Sequence, residues 1–519
     1  MTVWDEHVTV ALLGTERRDP PVLPGAPAEG EKAGRLLDQA ALLAVRRRAG
    51  RAASEAAPVP IALAPVEEVP VVPDAAAARL RRILRGEQIR VLPEWLDAAA
   101  ARGFRVPAPL LPDLLERGRG DRMLRPPIAR ASGRRGVWLA LQNTDWAYLV
   151  GSGGDPGGGH EVWETGTRNR RVAYLAGLRG TEPQRARELL RRAWPGEPAP
   201  DRAAFLATFE RGLAPADEEF LEAALEDRGK DVRQLASDLL ARLPGSAYGE
   251  RMAARARACL TPRTVPPKSG TGRRRTWIQV DPPRSHEEDM ARDGVPFHPS
   301  GSFAPRGGGP VGTRAAWLRE ILARTPLSTW TELFGLPPME VVCLPIAVAA
   351  GGSSSKEEPE ADGRDVHIGW ARAALGQRDA DWARALLKGG VMVDEPEALA
   401  DLLSVLPEEE RDPAAAGLIR WVEGRPELLR VLERVPGPWT GTLASAVVAI
   451  LGASAERPTR RDEHLIVQLC RLADQRLDPG VAPRLEVLAA EQGAAAPRAV
   501  DDLIATLRFR DEMLKELSS

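Results

Sequence analysis

Cysteine is scarce in this chain of 519 residues, and Cys259, Cys343 and Cys470 lie far apart. That spacing excludes a zinc cluster or a disulfide framework, and a reducing interior is the simpler setting. Histidine is scarce too, with His7, His160, His286, His298, His367 and His464 making six. No HExxH and no paired CxxC occurs, so the common zinc signatures are missing. The GxSxG nucleophile elbow and the dinucleotide fingerprint are absent as well. No metal, no cofactor and no catalytic residue is expected. Charge of one sign is not in excess: 71 Lys and Arg face 73 Asp and Glu, for a net charge of −2. No global field steers such a chain to nucleic acid or to an anionic membrane. Long apolar runs are missing; the longest, from Val341 to Ala350, is too short to span a bilayer and contains Pro345. The N-terminus carries Asp5 and Glu6 and no basic region, so it does not read as a signal peptide. A cytoplasmic location without membrane association is expected.

Ala, Leu, Arg and Glu dominate, and all are good helix formers. One stretch, LEDRGKDVRQLASDLLARLPGS from Leu225 to Ser246, shows the pattern best. Val232, Leu235, Ala236, Leu239, Leu240 and Leu243 stand at offsets 0, 3, 4, 7, 8 and 11, one face of an α-helix. Pro244-Gly245 stops it. Before it, Pro215 suits a first turn, and Asp217, Glu218 and Glu219 suit the positive end of a helix dipole. Phe220, Leu221, Ala224 and Leu225 form that helix's stripe. The connection is short, so the two helices are expected to be antiparallel neighbours. The spacing of Asp227, Val232 and Arg233 resembles the HEAT repeat, a helix pair that stacks into a solenoid. The resemblance implies that Asp227 caps the second helix, that Val232 packs inward and that Arg233 reaches a neighbouring repeat's acid.

The chain divides on composition. Residues 1–150 read as an N-terminal helical segment with a Pro-rich strap, and 160–262 as HEAT-like repeats. Residues 263–312 are rich in Pro, Gly and Arg and read as an irregular insertion. Within it RTWIQVD alternates as a strand does, one arm of a short β-hairpin. Residues 313–350 form a helical connector, 351–365 a flexible linker, and 366–519 a second set of helical repeats. No strict period emerges. The expected fold is all-α: a HEAT-like α-solenoid of degenerate helix pairs, interrupted by that insertion.

Few residues invite chemistry. GSGGDPGGGH, from Gly151 to His160, lacks the GK[ST] of a phosphate loop and reads as an insertion. His286, Glu287, Glu288, Asp289, Asp293 and His298 could assemble around a metal, but a solvated acidic loop is the preferred reading. Arg273, Arg274 and Arg275 beside Trp277 join a basic run to an aromatic, as nucleic-acid binders do. The acids that follow cancel much of that charge. A surface that touches a protein is favoured, with Arg273, Arg274, Arg275, Trp277, His286 and His298 as candidate partner-binding residues. Asn143, Asp145 and Trp146 resemble the aromatic and acidic residues of HEAT-like DNA glycosylases; a packed Trp beside a capping Asp is preferred.

ALLGTERR (Ala11 to Arg18), WLALQNTDWAYL, VWETGT (Val162 to Thr167), the block from Asp201 to Ser246 and REILARTPLSTWT together are similar to one uncharacterised bacterial family. The resemblance covers most of the chain. Its members are typically encoded beside a MoxR-type AAA+ ATPase, a von Willebrand A-domain protein and a SWIM zinc-finger protein. The resemblance therefore implies protein partners, the ATPase and the A-domain protein among them. The expected function is a non-enzymatic scaffold or adaptor. The alternative is a helical-repeat protein that binds nucleic acid or processes DNA bases, and nucleic acid is not the expected partner.

Overall fold

Apolar residues recurring every three or four positions fold here as 27 α-helices among the described residues, and the fold is 72% helical. The computed structural model describes residues 3–26, 29–48, 63–149, 159–265, 275–297, 312–348, 363–392, 395–422, 427–456, 460–492 and 497–518. The architecture is the expected all-α, solenoid-like one with a small β insertion. No helix among the described residues is long and apolar enough to cross a membrane. GSGGDPGGGH lies largely outside the described residues; the helix Gly159–Thr165 begins at its end.

The chain forms two compact units, Met1–Ala64 and Pro65–Ser519. In the first, helices Val3–Leu13 and Lys32–Arg48 pack together. His7 joins them from a buried position. Its Nδ1 donates to the Val3 carbonyl at 2.7 Å, and its Nε2 lies 2.8 Å from the Gln39 amide.

The second unit begins with a block of five helices: Asp74–Leu84, Leu92–Ala101, Leu111–Gly120, Arg125–Ala131 and Gly133–Gln142. Prolines stand in the first turns of the second, third and fourth, where a missing N–H costs nothing. Residues 65–73 run extended before them. There Glu67 accepts from the backbone N–H groups of Arg134 (3.1 Å) and Arg135 (2.7 Å), placing a carboxylate at the positive end of the fifth helix.

From Gly159 onward, successive helices pack as neighbours around one continuous core that runs from Trp163 to Leu507. Trp330, Trp370 and Trp382 meet inside it, with ring centroids 5.9 and 5.2 Å apart. Guanidiniums tie neighbouring helices together. Arg179 reaches Asp217 at 2.8 Å, Arg202 reaches Asp227 at 2.8 Å, Arg324 reaches Asp238 at 3.0 Å and Arg384 reaches Glu410 at 2.6 Å.

A three-stranded sheet interrupts the helices. Strand β1 (Leu260–Val265) pairs antiparallel with β2 (Arg275–Val280), so the expected hairpin is present. Strand β3 (Ile346–Val348) then joins β2 in parallel. It comes from the run Val341 to Ala350, in which Ile346 is half-buried and Ala347 is exposed. Pro262 sits on β1, the outer strand, where a residue without an N–H weakens the edge as a template for other chains.

The last helix, Arg498–Glu516, belongs to two cores. Val500, Leu503 and Leu507 are buried with the array, whereas Phe509, Met513 and Leu517 are buried with the N-terminal block. The block is thus attached to both ends of the array: through the chain at Gly159, and by packing on the last helix.

The tryptophan cluster yields a contrast. Trp370 is fully buried and its indole N–H has no hydrogen-bond partner. Trp370→Ala is expected to cost about 3–5 kcal/mol. Trp370→Phe is expected to cost clearly less than Trp370→Ala, because it leaves a smaller cavity and also removes an unsatisfied donor. Urea unfolding followed by tryptophan fluorescence of both variants separates the two.

Candidate docking segment and its arginine cluster

The candidate residues after β1 fall into three groups. Arg273, Arg274 and His298 lie outside the described residues. Arg275 opens β2, opposite Val265. Trp277 follows on the same strand, half-buried and directly opposite the exposed Arg263. Alternation explains its position: Ile278 and Val280 are buried, so Trp277 and Gln279 take the other face of the strand. The hydroxyls of Thr264 and Thr276 meet across the same pair of strands at 3.2 Å.

His286 is separate from Trp277 in role. Its Nε2 donates to the Val295 carbonyl at 2.8 Å, and its ring packs on Phe297 and Trp317, with centroids 5.3 and 5.4 Å away. It is therefore a packing residue that pins the loop 286–297 to the helix Thr313–Arg324.

Asp293 is the centre of the segment. Its side chain is 1% exposed and meets three guanidiniums: Arg251 at 3.0 Å, Arg255 at 2.5 Å and Arg292 at 3.1 Å. Burial opposes its charge, but hydrogen bonds from Arg251 and Arg255 hold the carboxyl below the usual range. Arg251 and Arg292 also reach Glu222, and the Tyr248 hydroxyl donates to the Asp293 carbonyl at 2.7 Å. The cluster thus staples the segment to helices Glu218–Ala224 and Ala247–Cys259. Asp293 is committed to arginine, while Glu287, Glu288 and Asp289 point outward as exposed residues. No group of three or more His, Cys, Asp or Glu suited to a metal occurs among the described residues.

The repeat residues depart from the HEAT pattern in two respects. Val232 is fully buried. Asp227 accepts from the Gly229 N–H at 2.7 Å and from Arg202, which belongs to the earlier helix Ala199–Ala207. It closes the turn before Lys230–Leu240 rather than capping that helix directly. Arg233 does not reach a neighbouring repeat's acid. It donates instead to the carbonyls of Asp227 (2.7 Å) and Arg228 (3.1 Å), so it stiffens its own turn. The inter-helix bond runs through Arg202 because Asp227 faces back along the array.

Asn143, Asp145 and Trp146 make local contacts. Asn143 Oδ1 accepts from the Asp145 N–H at 3.0 Å, and the Trp146 indole donates to Glu116 at 3.2 Å. A cleft of about 440 Å³ lies elsewhere, lined by Cys343, Arg364, His367 and Met392 among others. No motif in the sequence pointed to it, since its lining comes from three separate segments.

The same pattern of helices, sheet and ion pairs runs through nearly the whole chain, and so does one family model, which matches residues 6–517. The chain belongs to the family of unknown function DUF5691. Membership in DUF5691 takes in the helical pair of the first unit, the block, the array and the sheet. No curated protein and no solved structure matches the chain.

Asp293 gives a pH-dependent expectation. Its folded pKa is depressed, so its stabilisation is full above the unfolded value near ~3.9 and is lost as pH falls through the folded value. Asp293→Asn is expected to cost about 3–5 kcal/mol at neutral pH. The difference from the unsubstituted protein should narrow below about pH 4. Denaturation midpoints measured from pH 7 to pH 3 check both parts.

Proposed function

We propose that this chain is a non-enzymatic scaffold or adaptor of the cytoplasm that binds other proteins. The observation that carries the reading is the state of its buried carboxylates. Asp217, Asp227, Asp293 and Glu320 are each opposed by burial, yet each is held below its ordinary range by guanidinium partners. An acid or base poised for catalysis has its pKa moved toward the working pH. These groups are moved away from it and serve to join helices. A long array of stacked helices supports the same reading, because it offers an extended surface to partners.

The docking element is the outward face of the β1–β2 hairpin, with Trp277 as anchor and Arg263 beside it. Aromatic and arginine residues dominate binding hot spots. The partners are a MoxR-type AAA+ ATPase and a von Willebrand A-domain protein, an assignment that rests on the family resemblance alone. Removing residues 265–310 is a poor test of docking. It would take away Ile278, Val280, Met290 and Val295, all buried, along with Asp293. Surface substitutions test it without that damage.

Tagged full-length protein drawn from its host lysate, with and without nuclease, should recover the ATPase or the A-domain protein under both conditions. Trp277→Ala with Arg263→Ala should weaken that capture by about tenfold or more, with helical circular dichroism unchanged. Partners that vanish on nuclease treatment would replace this reading with a nucleic-acid-binding one. Undiminished capture by the double variant would remove the hairpin as the docking element.

A further inference from the structure

Helix Arg498–Glu516 is continuous, yet its two halves are buried in different cores. We propose that its C-terminal half, residues 508–517, is a releasable latch that holds the N-terminal block against the array and opens without unfolding either.

Each body has a core of its own. Within the block, Leu80, Trp95, Leu96, Leu111, Leu114, Leu115 and Ile128 are fully buried. The array core is complete by Leu507. Among the described residues, Phe509, Met513 and Leu517 are buried in the block's core, with the partly buried Leu514 packed beside them. Two preformed bodies joined by a few apolar side chains dock and separate as partners do, not as halves of one core. The chain continuing from Leu149 to Gly159 keeps the block nearby when the latch opens, so rejoining is intramolecular.

The polar contacts are mostly ionic, with one neutral bond from the Thr506 hydroxyl to the Gln88 side chain at 3.3 Å. Arg79, whose side chain is 4% exposed, holds Glu512 at 2.9 Å and Glu516 at 2.6 Å and lies over the Phe509 ring, 4.5 Å from its centroid. Arg510 grips Glu94 with two bonds of 2.6 and 2.9 Å. Arg90 meets Asp474 at 2.8 Å. Glu512 is 63% exposed and Arg90 is 54% exposed, so salt reaches part of this network. The fit is also incomplete. Arg79 Nη1 is buried without a hydrogen-bond partner, a desolvation cost that opening relieves.

Hydrogen exchange of the full chain, read by mass spectrometry at low salt and at about 1 M salt, tests this. The latch predicts that 508–517 loses protection at high salt while 498–507 and the helix Leu111–Gly120 keep theirs. Loss of protection in all three together overturns it, since the block would then unfold with the latch. Met513→Glu in the full chain should raise the radius of gyration in small-angle scattering, again with Leu111–Gly120 protected. An unchanged radius overturns the proposal. The milder Glu512→Gln with Glu516→Gln leaves the apolar contacts in place and should flatten the salt dependence. A salt dependence as steep as before would overturn the ionic part of the latch.

Discussion

A buried guanidinium must find a carboxylate, and most of the described architecture follows from where it finds one. Arg179, Arg202, Arg251 and Arg324 each lie on one helix and bond an acid on another element. Apolar stripes bring helices together without fixing how far along they slide. A two-pronged bond between a planar guanidinium and a carboxylate does fix it. Removing either partner leaves a charge stranded in a dry interior, which is the costly outcome. Such pairs therefore act as register pins between helices whose stripes are otherwise alike. The Asp293 cluster extends the device to a segment of mixed structure, pinning a strand, a loop and a short helix to the array.

The same chemistry closes the second unit. The block of residues 74–142 is separated in sequence from the last helix by most of the chain, yet Arg79 and Glu94 bond Glu512, Glu516 and Arg510. A repeat array in which each element touches only its neighbours has two free ends. Here one block is held at both, so the array's ends are coupled to each other through it.

Legibility in the sequence varied with range. The stripe of Val232, Ala236, Leu239 and Leu240 was readable because helical period is a local property, and all four are buried. The strand in RTWIQVD was readable for the same reason. Strand β3 was not, because three residues from Ile346 become a strand only by bonding to Ile278. His286 looked like a binding residue because a histidine beside acids has no local signature of packing; Phe297 and Trp317 decide its role. Arg233 was expected to pair with a neighbouring acid and instead donates to backbone carbonyls. Its spacing from Asp227 matches a repeat, but the side chain bonds the carbonyls of its own turn.

The sequence by itself determined that this chain is helical, that its helices pair in order and that a β-hairpin interrupts them. Those properties reside in spacings of three, four and two residues, within which neighbouring side chains select the backbone. Only the tertiary structure decided which arginine meets which acid, that β3 completes the sheet, and that the last helix serves two cores. Those outcomes join residues tens to hundreds of positions apart. Any of many acids could satisfy a given arginine, and only the packed arrangement of the helices selects one.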